Sequence, residues 1–302
     1  MATRILLATD FSDASEHAIE QAHAIAARDH AVLGLCHVVP EVNGHPSRIP
    51  TWLGTQLPDP VTISKAAAEA LDGRAKLLAT GNLKVHTFLE EGESHAAIVR
   101  CAEKFAADLV VVGSHGRTGI SRILLGSVAE KVVRTAHCPV LVARQGPSGG
   151  PVITATDFSD ASLPGVRAAA SEAARTGSPL VVLNVFDLAW PGATPYAVDA
   201  SGLSAVLSDT EALRRTNEEL SKVIEECTKG LLVNAKGEVL VGEPASMIVR
   251  RAEELGARLV VVSTHGRTGL TRVLLGSVAE RIVRLSHTSV LAVHTPKVPQ
   301  AA

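Results

Sequence analysis

Two kinds of apolar pattern take turns along this chain. Short unbroken runs, such as residues 3–9, TRILLAT, and 108–113, DLVVVG, read as strands covered on both faces. Between them, apolar residues recur every three or four positions. Residues 13–29 place Ala14, Ala18, Ile19, Ala22, Ile25 and Ala26 on one helical face. In the first half this predicts strands at 3–9, 31–39, 83–89, 108–113 and 139–143. Helices are predicted at 13–29, 61–80, from Ser94 as cap to about 106, and at 127–136. Residues 40–60 hold five prolines and no period, so they read as a loop. Strands and helices in alternation predict an α/β fold with a mostly parallel, open sheet and helices on both faces.

The pattern is written twice. Residues 4–15, RILLATDFSDAS, return as 151–162, PVITATDFSDAS, with the last eight positions identical. Residues 113–134 return as 263–284, with 15 of 22 positions matching. The one non-conservative difference in that stretch is Gly113 to Ser263. The second half predicts strands near 151–156, 180–186, 237–241, 258–263 and 289–293. It also predicts a loop at 187–210 and a long helix near 204–228. Pro164 falls early in a helix, where its missing N–H costs little. The glycine- and proline-rich segment 145–151 marks the seam, giving expected domains at 1–145 and 150–297.

Candidate chemistry gathers where the repeat is strongest. Gly113, Gly116 and Gly119 follow a strand, and Gly126-Ser127 opens a helix. Ser127 and Glu130 have capping-box spacing, so Ser127 is the expected cap. A helix start presents amides and partial positive charge, and glycines let a ligand approach the backbone. Together these predict an anion site, most often for phosphate. The turn after strand one, Ala8-Thr9-Asp10, lies at the same carboxyl-terminal end of the sheet, where open α/β sheets bind ligands. Asp10 and Asp157 read either as ligand contacts or as caps of the following helix. Arg117 and Arg267 either reach phosphate or remain solvated loop charges. Arg122 and Arg272 read as structural salt bridges, and His115 and His265 as loop structure. A zinc site at His137-Cys138 is not expected, because Ser286-His287-Thr288 has no thiol.

Composition narrows the partners. A net charge of −2, without basic blocks, gives no electrostatic case for nucleic acid or an acidic membrane. Five Phe, two Trp and one Tyr leave no aromatic platform for single strands. No run is long enough for a membrane span. Cys36, Cys101, Cys138 and Cys227 form no C-x-x-C pair, so buried reduced thiols and a cytoplasmic location are expected. There is no P-loop lysine, so that class of NTPase chemistry is not indicated.

The spacing Gly113-x-x-Gly116, nine residues, Gly126-Ser127 resembles the nucleotide signature of the universal stress protein family. His37-Val38 closing strand two and Cys138-Pro139-Val140 entering strand five extend the likeness, which covers both halves. The resemblance implies two tandem domains, each a five-stranded parallel sheet of Rossmann-like, adenine nucleotide α-hydrolase-like type, with ATP as ligand in one group of members. It implies Asp10 on the ribose side with Ala8 beside it in the nucleotide site, the Val38 backbone at the adenine edge, and Val112 flanking the ring. Gly113, Gly116, Gly126, Ser127 and Val128 would hold ribose and phosphates, mainly by main chain. The second-half counterparts are Ala155, Asp157, Val185, Val262, Ser263, Gly266, Gly276, Ser277 and Val278. A side chain at Ser263 costs on the order of 1 kcal/mol where the position demands a left-handed backbone.

Mg²⁺ would enter with the triphosphate, beside Asp10 or Asp157. The expected function is an ATP-binding, stress-response regulatory protein without catalytic residues. A slow ATP hydrolase and a nucleotide-free dimerising scaffold are the alternatives. The apolar fifth strands, 139–143 and 289–293, predict that the halves pair as an intramolecular pseudo-dimer, with a homodimer as a further possibility.

Overall fold

Nine described segments of the first half fold in the predicted alternation. They are β1 (Arg4–Ala8), α1 (Asp13–Asp29), β2 (Val32–Val39), α2 (Pro60–Leu78), β3 (Val85–Glu91), α3 (Ser94–Phe105), β4 (Leu109–Gly113), α4 (Ser127–Thr135) and β5 (Val140–Ala143). The second half gives β6 (Val152–Ala155), α5 (Leu163–Thr176), β7 (Leu180–Phe186), α6 (Thr210–Thr228), β8 (Ala235–Val241), α7 (Pro244–Glu254), β9 (Leu259–Ser263), α8 (Ser277–Leu285) and β10 (Val290–Val293). The structure is a computed structural model, and it describes residues 3–39, 60–115, 125–187, 210–264 and 275–294. Of the predicted loops at 40–60 and 187–210, residues 40–59 and 188–209 lie outside the described residues, while Pro60 and Thr210 open helices. The chain divides into two units, Met1–Ala143 and Arg144–Ala302.

In the first unit the strand order is β3-β2-β1-β4-β5, and every pairing is parallel. Strands are added outward from β1 to β3, then the chain returns to β4 on the other side of β1. Right-handed crossovers therefore put α1 and α2 on one face and α3 and α4 on the other. The order reverses between β1 and β4, which makes their carboxyl ends the switch point. Ile5, Leu6, Leu7, Val110 and Val111 are fully buried, as central parallel strands require. Gly34 on β2 leaves room for an edge-on Phe88–Phe105 pair, centroids 5.2 Å apart; a Cβ there would meet Phe88 at 2.9 Å.

The second unit repeats the order as β8-β7-β6-β9-β10, again all parallel. Its core joins Val152, Val166, Leu180, Val182, Leu220 and Val261. Arg144 is buried at the start of this unit. Its guanidinium donates to the Val283 carbonyl at 2.5 Å, and burial pushes its pKa down to about 10.

At the amino end of β1, Asp108 accepts from the Thr3 hydroxyl at 2.6 Å and the Thr3 and Arg4 amides at 2.8 and 3.0 Å. The matching residue of the second half is Arg258. The four cysteines are free and buried. No described helix is long and apolar enough to cross a membrane.

Three expectations need correction. The cap of α3 is Glu93, with Ser94 already helical. The cap of α4 is Gly126, not Ser127, and no capping box forms. Strand β3 runs two residues later than its alternation suggested, to Glu91, because an edge strand can continue with polar residues facing out.

Candidate functional site

Asp10 leaves β1 at the switch point and folds the chain back on itself. Its Oδ1 accepts from the Ser12 amide at 3.1 Å and the Ser12 hydroxyl at 2.6 Å, an Asx turn. The turn puts Phe11 in the left-handed region, φ 59°. Thr9 Oγ1 accepts from the Phe11 amide at 3.1 Å and meets the Ser15 hydroxyl at 3.0 Å. The second half builds the same turn. Asp157 Oδ1 takes the Ser159 amide at 3.0 Å and hydroxyl at 2.5 Å, and Phe158 has φ 65°. A non-glycine residue held so costs about 1 kcal/mol or more, and such strain clusters at functional sites. The aspartates are thus not helix caps; Ser12 and Ser162 hold those positions.

Beside this turn, β2 outruns β1. Their register ends at Ala8 opposite Cys36, where the Thr9 amide donates to the Cys36 carbonyl at 2.9 Å. The period-two ladder points Val38's N–H and C=O to the same side as those of Cys36. Continuing the ladder would join the Val38 N–H to the Thr9 carbonyl. That carbonyl instead accepts from His37 Nδ1 at 2.8 Å. The His37 ring stacks on Phe11, centroids 4.5 Å apart. In the second half Asn184 Nδ2 donates to the Thr156 carbonyl at 2.9 Å, and Val185 takes the place of Val38. Val38 and Val185 are both partly exposed. His37 and Asn184 were not singled out from sequence as acting residues; their shared task appears only when β1 and β2 lie side by side.

Across the switch point, β4 ends in Val112 and Gly113, and β9 in Val262 and Ser263. Val112 and Val262 are buried. Gly126 returns to the end of β4, donating its amide to the Ser114 carbonyl at 2.7 Å; Gly276 does the same to Thr264 at 2.7 Å. Gly126 has φ −66°, so any gain from glycine there is one of space: a Cβ would lie a tight 3.3 Å from the Ser114 oxygen. Gly126 and Gly276 supply no side-chain cap, and among the described residues no side-chain cap forms at the first turns of α4 and α8, from Ser127 and Ser277 onward. Val128 and Val278 on those turns are exposed, at 39% and 37%.

Ser263 does not distort the backbone. Neither it nor Gly113 is among the described residues in the left-handed region. Its hydroxyl accepts from the Gly165 amide at 2.9 Å and donates to the Ser162 carbonyl at 3.0 Å. Gly116, Arg117, Gly266 and Arg267, with Arg122, His265 and Arg272, lie outside the described residues. His115 meets the Ser114 hydroxyl through Nδ1 at 2.8 Å. Among the described residues no group of three or more His, Cys, Asp or Glu gathers to hold a metal.

Each half thus brings Ala8, Asp10, Val38, Val112, Gly113, Gly126, Ser127 and Val128, or their counterparts, to the carboxyl ends of three adjacent strands. The model of the universal stress protein family matches residues 1–144 and again 150–294. A universal stress protein of Mycobacterium tuberculosis is 30% identical over 308 residues, spanning 95% of each chain. One of Methanocaldococcus jannaschii is 40% identical over 146 residues, 47% of this chain and 82% of that one. The crystal structure of a putative universal stress protein from Pseudomonas aeruginosa shares the fold, with TM-score 0.66 and 19% identity over 97% of this chain and 93% of its own. Two whole-domain matches laid end to end, over halves that build the same turn and the same glycine-capped helix, show that this chain belongs to the universal stress protein family and carries its domain in tandem.

Proposed function

We propose that each half binds an adenine nucleotide, with ATP as the ligand, and that the chain works as a nucleotide-dependent regulator in a stress response. The observation that carries this is the glycine-capped helix start, present twice, at the reversal point of a parallel sheet. Gly126 and Gly276 bring the first turns of α4 and α8 to the ends of β4 and β9 with no side-chain cap among the described residues. Amides so placed, on the positive end of a helix, suit phosphate oxygens. On the other flank, the Val38 N–H and C=O form a donor–acceptor pair suited to the edge of adenine. Asp10 and Asp157 stand between, on the ribose side. Gly116, Arg117 and their counterparts complete the phosphate loop in this reading. Mg²⁺ would be held chiefly by the phosphates themselves, with Asp10 and Asp157 as the carboxylates nearest the turn. The regulator reading is favoured over hydrolysis because the sequence carries no P-loop lysine.

Calorimetric titration of the full chain with ATP tests the proposal, with mass spectrometry of small molecules released on denaturation. Two sites per chain, or bound adenine nucleotide, are expected; no heat and no released nucleotide would remove it. Pairing of the halves across their apolar fifth strands belongs to the same proposal. Failure of short crosslinkers to join those strands in the full chain would count against it.

A further inference from the structure

The halves differ in one polar side chain beside the proposed adenine edge: His37 in the first, Asn184 in the second. We propose that both are positioning residues that occupy the carbonyl of the threonine just past the preceding strand, Thr9 or Thr156, so that the following valine amide faces the nucleobase instead of extending the sheet. The inference rests on the nucleotide reading above.

The geometry is the same in both copies despite different chemistry. His37 Nδ1 lies 2.8 Å from the Thr9 oxygen, and Asn184 Nδ2 lies 2.9 Å from the Thr156 oxygen. A carbonyl partner fixes the Nδ1–H form of the imidazole. Both side chains sit one residue before the valine, on strands whose register with β1 or β6 has just ended. The Thr9 and Thr156 amides still donate to Cys36 and Leu183, both at 2.9 Å, so the ladder is intact up to this residue. One more rung would tie the valine amide to the threonine carbonyl. A side-chain donor in that place ends the ladder without burying an unpaired carbonyl. His37 also presses on Phe11, 4.5 Å between centroids, which braces the left-handed turn carrying Asp10.

The duplicated chain contains its own control. In calorimetric titrations of the full chain with ATP, wild type is expected to show two sites. His37→Leu, which fills space but cannot donate, is expected to weaken one site at least tenfold and leave the other unchanged. Asn184→Leu should do the reverse. His37→Asn, which copies the second half, should restore binding to within about threefold of wild type. Two unaltered sites in both leucine variants would overturn the inference while leaving the nucleotide reading standing. Failure of His37→Asn to rescue would overturn it also, showing that the ring and not the donor matters. A wild-type chain that takes up no ATP would overturn the nucleotide reading itself, and the inference with it.

Discussion

The Ser263 hydroxyl sits 2.9 Å from the Gly165 amide and accepts its proton, fastening the first turn of α5 to the end of β9. A Cβ on Gly165 would lie 2.7 Å from that oxygen and 2.9 Å from the Ser263 nitrogen. The matched pair in the first half is Gly113 with Ala18. The small residue and the larger one have changed sides, so the Gly-to-Ser difference between halves is a compensated exchange. Gly165→Ala is expected to destabilise the second unit by about 1–3 kcal/mol through overpacking. Adding Ser263→Gly should recover at least about 0.5 kcal/mol, since contacting residues are not additive. Urea unfolding of the three variants measures both.

The glycine caps are expected to be intolerant of a side chain. In Gly126→Val the new Cβ would press on the Ser114 oxygen and displace the start of α4. ATP affinity of one site should fall at least tenfold, about 1.4 kcal/mol. Gly276→Val should do the same to the other, and calorimetry distinguishes the two.

Asp10 can be separated into turn-maker and ligand contact. Asp10→Asn keeps an oxygen for the Ser12 amide and hydroxyl, while Asp10→Ala removes it. The alanine variant should lose about 1–2 kcal/mol of stability, and asparagine much less. A loss of ATP affinity in both would identify the charge itself as the contributor; an effect confined to alanine would assign the role to the turn.

Thr154 carries a fully buried hydroxyl that has no hydrogen-bond partner among the described residues, where the first half has Leu7. Thr154→Val keeps the shape and removes the stranded group. A gain of about 1 kcal/mol is expected, seen as a higher urea midpoint with an unchanged slope.

Asp108 predicts an acid response. Burial raises its carboxyl, but the Thr3 hydroxyl and the Thr3 and Arg4 amides outweigh that and hold it below its ordinary value of 3.8. A depressed folded pKa contributes stability that is fully present above the unfolded value and disappears as pH falls through the folded one. Asp108→Ala should therefore melt lower than wild type at about pH 7, and the gap should close as pH falls below 3.8 and through the folded-state pKa. A gap that persists in acid would show that the carboxylate's charge is not its source.

Most of the fold was readable from periodicity because the strands are short apolar runs and the copies reinforce each other. What escaped depends on partners distant in sequence. Ser127 reads as a cap because Glu130 follows at the right spacing, but the cap position falls to Gly126, whose amide returns to the Ser114 carbonyl. The Asp10 turn was visible as an Asp-x-Ser string, yet its alternative as a helix cap could be dismissed only from the hydrogen bonds. His37 and Asn184 share no chemistry that a residue-by-residue comparison would pair. Asp108 gave no local signal, since the groups it binds begin the chain, 105 residues earlier for Thr3.

The Asp108 latch sits at the end of the sheet away from the proposed pocket, and its twin position carries Arg258. Removing the latch at about pH 7, by Asp108→Ala, should consequently loosen one domain ahead of its near-duplicate and split a calorimetric endotherm. Such a split would let the heat of each domain be read separately in an uncut polypeptide.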